Sequence, residues 1–399
     1  MPDTPAADAR QAGYQASLGT VLREWGRIGC VGFGGPPSHI ALLRKLCVER
    51  EGWLDAQEFE DAIAACNLLP GPASTELAIF CAWRVRGRLG ALAGGAAFIV
   101  PGLILILALS VLFLAGTPPR WVSGAGAGAG AAVAAVAVQA AWSLLVPSWK
   151  RAIGQAGRSR RVRWGLYLVA GGASAATIGP WLVLVLLGCG AIELAAQHAG
   201  QDARAHGILA APLLASGALA SGVLLSVAWV AFKVGALSYG GGFVIIPLMQ
   251  SDAVNHYHWM TSAEFLNAVA LGQVTPGPVV QTVAVVGYAA AGLVGGLFAS
   301  LVAFSPSFAF ILFGASRFDR IRDNRHAQGF LAGAGPAAIG AILGSAIPLA
   351  RALTQPWQYA VLAAALILLL ALRRGVVLTL VSAGVVGTVI AVAGGPLPH

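Results

Sequence analysis

Long apolar runs separated by short loops fill this sequence and constrain its fold more than any other feature. Of the 399 residues, 57% are hydrophobic and only 10% are charged, whereas a soluble domain carries about 25% charged residues. Each helical crossing of a bilayer needs roughly 20 apolar residues, so the chain has room for about ten to thirteen crossings. The sequence therefore predicts an all-α integral membrane protein without a soluble catalytic domain.

The positive net charge of +9 comes from arginines and lysines in the short loops between the apolar runs. Basic residues in such loops set the orientation of membrane helices, so we expect no nucleic-acid partner. None of the three lysines stands in a phosphate-binding loop of the form G-x-x-x-x-G-K-[ST], so the chain is not expected to hydrolyse ATP. Energy for transport would then come from an ion or proton gradient or from a separate subunit.

The cysteines and histidines form no pattern typical of a metal site, a disulfide framework or a catalytic centre. We therefore expect no metal, no cofactor and no enzymatic activity. The polar residues 1–17 form an N-terminal tail. Arg23, Glu24 and Arg27 interrupt the first apolar stretch, which argues against a cleaved signal peptide.

Two copies of one pattern follow each other in the chain. These pairs share a spacing of 206 residues: Phe33-Gly34-Gly35 with Tyr239-Gly240-Gly241, Glu58 with Glu264, Pro70-Gly71-Pro72 with Pro276-Gly277-Pro278, and Phe98 with Phe304. Internal repeats of this size are typical of secondary transporters. We predict a first repeat over residues 18–197, a connecting segment over 198–225 and a second repeat over 226–399.

Basic residues mark opposite ends of the two copies. Loops 44–50 and 84–88 are basic in the first copy, but their partners near 250–256 and 290–294 are not. The second copy is instead basic at 317–325. Because basic loops stay in the cytoplasm, we expect the copies to lie upside down relative to each other. The predicted cytoplasmic loops are 44–50, 84–88, 150–163, 317–325 and 373–374, and the predicted outward loops are 115–121, 250–258 and 351–356.

The two Pro-Gly-Pro motifs are predicted to be the tips of re-entrant hairpins. Since loops 44–50 and 84–88 lie on one side, the segment between them must enter the membrane and return. Its arms, 59–69 and 73–83, are each too short to span the membrane. Segment 262–289 is likewise expected to enter the membrane and return, but from the other face. Broken helices at this depth occur where they are buried by protein or line a cavity. The glycine-rich stretch 124–130 instead predicts a close contact between helices.

These motifs suit an anion. The helices that restart after each Pro-Gly-Pro present free backbone N–H groups, an arrangement that binds oxyanions. Ser74 and Thr75 in one copy, and Gln281 and Thr282 in the other, add polar side chains. Alternatively, these residues serve only as helix caps.

A cation precedes each aromatic-Gly-Gly motif by six residues, Arg27 in one copy and Lys233 in the other. A charge among apolar neighbours needs a partner, and a bound dianion would supply one. The alternative is that both side chains extend to the membrane surface.

Three glutamates invite different interpretations. Glu58 and Glu264 follow Asp55 and Thr261 at the spacing of a helix cap, which favours a structural role. Glu76 lies among apolar residues just past the first Pro-Gly-Pro, so it is our candidate for a coupling residue. The alternative for Glu76 is an ion pair with Arg84 or Arg27.

The motifs FGGPPSHIALLR (33–44), NLLPGP (67–72), YGGGFVIIPLM (239–249) and GQVTPGP (272–278) resemble the chromate ion transporter family in its two-domain form. The resemblance implies export of chromate, a tetrahedral dianion similar to sulfate, across the inner membrane, driven by the membrane potential or the proton gradient. It also assigns function to Gly34, Gly35, Pro36 and His39 in the first motif, and to Pro70, Gly71 and Pro72 in the hairpin motif. One departure is Glu76, where the family pattern often has a glutamine.

Together these observations predict a multi-pass transporter of the cell inner membrane, built from two inverted repeats, that exports chromate and also takes sulfate. An uptake permease for sulfate or a related oxyanion is the main alternative, and a scaffold subunit or a membrane-embedded enzyme is a weaker one. Protons as the coupling ion and a second copy of the chain are further candidate partners. The candidate substrate-binding residues are Arg27, Gly34, Gly35, Pro36, His39, Pro70, Gly71, Pro72, Ser74, Thr75, Lys233, Gly240, Gly241, Gly242, Pro276, Gly277, Pro278, Gln281 and Thr282, with Glu76 for coupling.

Overall fold

The computed structural model describes residues 15–67, 69, 71–114, 116, 118–154, 158–177, 182–198, 222–238, 243–315 and 324–398. Within these ranges the chain is helical and has no strand, which confirms the all-α prediction. The helices are α1 (Leu18–Val31), α2 (Pro36–Arg44), α3 (Ala56–Cys66), α4 (Ala73–Phe113), α5 (Arg120–Gly154), α6 (Arg158–Thr177), α7 (Leu182–His198), α8 (Val223–Ala236), α9 (Ile245–Gln250), α10 (Ser262–Val274), α11 (Thr282–Gly314), α12 (Arg325–Arg351), α13 (Pro356–Leu366) and α14 (Val376–Val392).

Four helical segments are long and apolar enough to cross a membrane: Ala73–Phe113, Arg120–Lys150, Val279–Gly314 and Arg325–Arg351. Several shorter apolar helices accompany them, including α7, α8 and α14. This pattern agrees with a multi-pass membrane protein. Most of the predicted connecting segment, 198–225, lies outside the described residues.

Helices α4 and α11 are each interrupted by a sharp reversal of the chain. Gly87 has φ 64° and Gly292 has φ 62°, a conformation that glycine adopts without strain. Just beyond these breaks, Gly90 packs against the Ala82 carbonyl and Gly295 against Gly287. Residues eight apart in one straight helix are separated by about 12 Å along its axis, so the chain turns back on itself. Each helix therefore consists of a short arm, 73–85 or 282–290, and a long arm, 88–113 or 293–314.

The first half of the chain begins with two helical hairpins. In the first hairpin α1 and α2 are joined by the glycine break at 32–35, and Arg50 returns to bond Glu24 at 2.6 Å. In the second hairpin α3 and the short arm of α4 are joined by the Pro-Gly-Pro turn, and Glu58 pairs with Arg84. Residues 18–43 thus break at their glycines and fold back.

The second half contains two corresponding hairpins. Lys233 of α8 bonds Asp252 at 2.6 Å, just after α9, so this pair also turns back. The next hairpin starts at α10, where Thr261 and Glu264 form a complete capping box. The predicted helix-cap role of Glu264 is confirmed. Glu58 differs, because Asp55 caps α3 alone while the Glu58 carboxylate binds Arg84.

The long arms of α4 and α11 cross in opposite directions at the centre of the bundle. Gly95 packs against Phe308 near the start of one arm and the end of the other, whereas Leu107 packs against Gly296. Pro101 and Pro306 lie at matching positions inside these arms. An antiparallel crossing places residues 88 and 314 at the same end of the molecule.

The predicted spacing of 206 residues between equivalent positions of the two copies is wrong by one residue beyond the Pro-Gly-Pro turns, where the structure gives 205. Gly29 packs against the carbonyl of Phe98, while Gly235, 206 residues later, packs against Ala303 rather than Phe304. A physical reason is visible after Pro278, where residues Val279–Gln281 form a 3₁₀ turn. A 3₁₀ turn rises about 2.0 Å per residue against 1.5 Å in an α-helix, so fewer residues cover the same length.

The C-terminal helices of each half pack on the other half. Helices α6 and α7 pack on α12, and α13 and α14 pack on α5. Glycines allow the close approach: Gly171 lies against the Ala337 carbonyl, and Gly124 and Gly128 face Ala383 and Gly387. The predicted close contact of stretch 124–130 is confirmed.

We call one end of the bundle the basic end. The helix directions and ion pairs described above place the following residues at this end: 50–58, 84–88, 160, 325 and 373–374. The loops at 250–258 and 351–356 lie at the opposite end. The described parts of the loops predicted to be cytoplasmic are thus gathered on one side.

Substituting Gly171 by alanine is expected to destabilise the protein by about 1–3 kcal/mol, because its Cβ would meet the Ala337 backbone. Gly165 is the matched control on the same helix, since a Cβ there has nothing within 4 Å. Gly165→Ala should leave stability unchanged or raise it by up to about 1 kcal/mol through helix propensity. Thermal unfolding of the purified variants in detergent measures both effects, and equal midpoints would contradict the assigned packing.

Candidate functional site

The tips of the hairpins meet near the middle of the bundle. Gly277 N–H of the second Pro-Gly-Pro donates a hydrogen bond of 3.0 Å to the Gly32 carbonyl beside the first glycine break. Gly35 faces the Val279 side chain. Gly34, Gly35 and Gly277 have φ values of 95°, 73° and 103°, which side chains rarely tolerate. The glycines are thus required by the backbone of the turns.

His39 fastens the first tip to the start of α4. Its ring is buried, with Nε2 2.9 Å from the Gly32 carbonyl and Nδ1 3.2 Å from Ser74 Oγ. The ring also packs edge-on against Phe98, with the ring centroids 5.0 Å apart. His39 therefore holds two predicted site elements together, and Ser74 is occupied by this contact.

Glu76 lies at the junction between the two halves. Its side chain is fully buried, next to Gly71 of its own turn and Ser307 of α11. Among the described residues neither of its carboxylate oxygens has a hydrogen-bond partner. Arg84, one of the partners considered for it, binds Glu58 instead. A polar group left in this state is free to bind a ligand or a proton.

Gln281 occupies the corresponding place in the second half. It follows its own Pro-Gly-Pro turn, is buried beside Gly102 of α4, and donates from Nε2 to the Ile99 carbonyl at 2.6 Å. Within the described part of the chain its Oε1 has no partner. Glu76 and Gln281 are thus equivalent positions with different chemistry, a relation hidden by the sequence register because their spacing is 205.

The structure does not bring Arg27 and Lys233 together with these turns. Arg27 is exposed and points away from the buried face of α1, which is formed by residues such as Trp25 and Gly29. Lys233 is paired with Asp252, and its Nζ lies 5.5 Å from the centre of the Trp229 ring. Both cations therefore have another environment than the predicted midplane dianion site.

The remaining candidates lie partly in the turns and partly outside the described residues. Pro36 starts α2, Pro72 precedes α4, and the Pro276 carbonyl faces Gly102. Thr282 donates to the Val279 carbonyl at 2.8 Å, and Pro278 leads into that same turn. Thr75 is buried beside Glu76 in the chain. Pro70, Gly240, Gly241 and Gly242 lie outside the described residues.

A cavity of about 840 Å³ leads from the basic end to the first Pro-Gly-Pro turn. One wall is α3 with Asn67 and Gly71, and the other is formed by α5, α6, α7 and α12. Arg160, Arg325 and Glu60 lie at its mouth, and Gly71 and Val244 lie at its inner part. This volume is within the range of roughly 300–1,000 Å³ typical of ligand sites.

The two halves differ in how their Pro-Gly-Pro hairpins are seated. In the second half α10 lies directly on α5, with Leu266 against Gly130 and Asn267 against Gly126. In the first half, Glu60 of α3 corresponds to Leu266, and Gly335 of α12 corresponds to Gly130. Glu60 and Gly335 both line the cavity, which lies between them. The hairpin that contains α10 is therefore packed against α5, whereas the cavity separates the hairpin that contains α3 from α12.

No local sequence pattern marks the cavity wall, because the residues that form it come from helices far apart in the chain. Glu193 accepts bonds from Arg163 at 2.7 and 3.1 Å and from the Tyr167 hydroxyl at 3.2 Å. The basic stretch 150–163 was assigned only to topology. A carboxylate at residue 193 inside an apolar run was the one signal that could have drawn attention to this cluster.

The family model described as "Chromate transporter" matches residues 19–194 and 225–388, most of the chain. This chain belongs to the chromate transporter family. The resemblance found in its motifs is thereby confirmed, and the family is one of transporters rather than enzymes. The two matched ranges contain both pairs of hairpins described above.

Relatives of this family member are similar over almost their full length. The chromate transport protein of Cupriavidus metallidurans is 30% identical over 88% of this chain and 87% of its own. The chromate transport protein of Pseudomonas aeruginosa is 29% identical over 82% of this chain and 79% of its own. A probable chromate transport protein of Synechococcus elongatus is 27% identical over 84% and 85%, respectively. No solved structure gave a significant match.

Proposed function

We propose that this family member is a secondary transporter that exports chromate across the inner membrane, and that sulfate, a dianion of the same shape, competes for its site. The observation that carries the proposal is the cavity that reaches Gly71 from the basic end, which the sequence predicts to be cytoplasmic. Family membership and the relatives named for chromate transport support the choice of ion.

Two inverted repeats, residues 18–197 and 226–399, form the framework of this proposal. The antiparallel long arms and the breaks at Gly87 and Gly292 support it. In such transporters the substrate site lies between the repeats near the midplane. The site proposed here is therefore the junction of both Pro-Gly-Pro turns, with Gly71, Glu76 and Gln281 at its centre.

Glu76 couples anion binding to a proton in this proposal. An ionised carboxylate would repel a dianion at Gly71, whereas a protonated carboxyl can donate a hydrogen bond to it. Dianion and proton then bind together, and the pair carries one negative charge outward. A membrane potential that is negative inside drives that charge, with about 2.3 kcal/mol per 100 mV. The membrane potential, rather than the pH gradient, is the expected driving force.

Everted inner-membrane vesicles from a host expressing the protein test direction and energy source. We expect chromate to accumulate in them when a potassium diffusion potential, positive inside the vesicle, is imposed with valinomycin. A pH gradient of equal size without a potential should give much less uptake. Excess sulfate should reduce the uptake. Higher chromate accumulation in intact cells expressing the protein, with no uptake by everted vesicles, would instead identify an uptake permease.

Changing Glu76 to glutamine makes its position chemically like Gln281 and tests proton coupling. We expect chromate transport to persist but no proton to move with each chromate, because an amide at this position cannot release a proton. The charge moved per chromate, measured by reversal potentials in liposomes, should rise from about one to about two. Glu264→Gln, which alters a helix cap at the opposite end, is the control and should behave as wild type. A Glu76→Gln protein with unchanged charge per chromate would contradict this role.

The unequal seating of the hairpins supports an alternating-access cycle. In the state described here, α10 is packed on Gly126 and Gly130 while α3 stands away from α12, and we assign this state to the cytoplasm-facing step of the cycle. The outward-facing state would exchange these positions, so that Glu60 reaches Gly335 as Leu266 now reaches Gly130. The same movement would then close the cytoplasmic cavity and release chromate on the outer side.

Paired cysteines test this cycle. The pair Gly130→Cys with Leu266→Cys should form a disulfide in the state described here. The pair Glu60→Cys with Gly335→Cys should form one only when chromate and a membrane potential drive the cycle, and should then block transport until a reductant is added. Mass spectrometry of the joined peptides distinguishes these bonds from those of the native cysteines. Continued transport with the Glu60–Gly335 pair fully cross-linked would contradict the cycle.

A further inference from the structure

The acidic residues on the cavity wall already have cationic partners. Glu60 is paired with Arg44. Glu193 is held by two bonds from Arg163 and one from Tyr167. These carboxylates are therefore neutralised by groups in the protein and add little net negative charge to the cavity.

Within the part of the chain that the structure describes, two arginines of the cavity lack such partners. Arg160 and Arg325 both line it, and neither forms an ion pair with any carboxylate in the described ranges. The charges at the mouth are thus unbalanced toward the positive. Low-dielectric walls focus such a field and raise the local concentration of anions.

The packing of α6 against α12 explains why these two arginines share the mouth. Leu168 faces Gly340 and Gly172 faces Gly344, so the two helices run in the same direction. Arg160 lies in the first turn of α6, and Arg325 is the first residue of α12. Residues from distant parts of the sequence are therefore placed at one end by parallel packing.

We propose that Arg160 and Arg325 form a first binding position for tetrahedral dianions at the cytoplasmic mouth of the cavity, ahead of the site at the Pro-Gly-Pro turns. This inference rests on the proposed function and adds a capture step to it. Each guanidinium can donate two parallel hydrogen bonds to an oxyanion, and two of them match the charge of a dianion. The position therefore favours sulfate or chromate over monovalent anions such as chloride or nitrate.

Capture and translocation make different kinetic contributions. Removing the mouth charges lowers the local anion concentration, but it leaves the turns and Glu76 intact. The double variant Arg160→Gln/Arg325→Gln should raise the KM for chromate about tenfold and change the maximal rate less than twofold. The wild-type KM should rise with ionic strength, because salt screens the charges of the two arginines. The KM of the double variant should rise less, because it lacks these charges.

Arg161→Gln is the matched control, since Arg161 is exposed on the same helix and does not line the cavity. It removes one charge from the same loop and should leave the KM for chromate unchanged. The double variant Arg160→Lys/Arg325→Lys keeps the charge but loses the paired donors. Its KM for chromate should lie between those of the wild type and the glutamine double variant.

Binding of sulfate to the purified protein in detergent, measured by titration calorimetry, separates this inference from the proposed function. We expect Arg160→Gln/Arg325→Gln to weaken sulfate binding about tenfold, and Arg161→Gln to leave it unchanged. That result would support the anion position even if no chromate export were found. Binding and KM equal to those of the Arg161→Gln protein would overturn it, even in a protein that exports chromate. Chloride or nitrate binding with the affinity of sulfate would overturn the dianion preference.

Discussion

Backbone N–H and C=O groups that leave a helix inside a membrane must find partners in the protein, because hydrocarbon offers none. This constraint governs the centre of the molecule, where the described turns at 32–35 and 276–278 meet. The contact between Gly277 and Gly32 satisfies two such groups at once, one from each half of the chain. His39 contacts the same Gly32 carbonyl, and the Gln281 side chain donates to the Ile99 carbonyl of the other half. The junction of the two halves is therefore held together by hydrogen bonds between backbone or side-chain groups of one half and backbone carbonyls of the other.

Close helix packing supplies the rigid frame around this junction. Helices α6 and α7 pack on α12, and α13 and α14 pack on α5, so each half is completed by the other. At several of these contacts a glycine lies directly against a backbone carbonyl, as Gly171 does with Ala337. Lipid gives no hydrophobic drive for helices to associate, and contacts of this kind depend on van der Waals packing. A rigid frame allows the hairpins to differ in position while the rest of the bundle stays the same.

The two halves differ in the polar groups that they place at the junction and along the cavity. Position 76 holds an acid and position 281 an amide, although both are buried at the same junction. Position 60 faces a cavity, whereas Leu266 is packed on Gly130. Arg160 and Arg325 line the cavity side and have no carboxylate partner within the described ranges. In the proposed function, these unequal polar groups give anion transport its direction and its proton coupling.

The sequence by itself determined the class of protein, the motifs of the hairpins, the close contact of residues 124–130 and the family. These features follow from local properties: apolar length, glycine and proline in a helix, and the charge of loops. Only the tertiary structure decided which side chains meet. It placed Arg27 on an outer face and paired Lys233 with Asp252, because the direction of a side chain depends on which helix face is buried. It also shifted the register of the repeat by one residue, since a 3₁₀ turn and an α-helical turn look alike in sequence but differ in rise. The equivalence of Glu76 with Gln281 and the shared mouth of Arg160 and Arg325 come from contacts between segments far apart in the chain, which no local pattern contains.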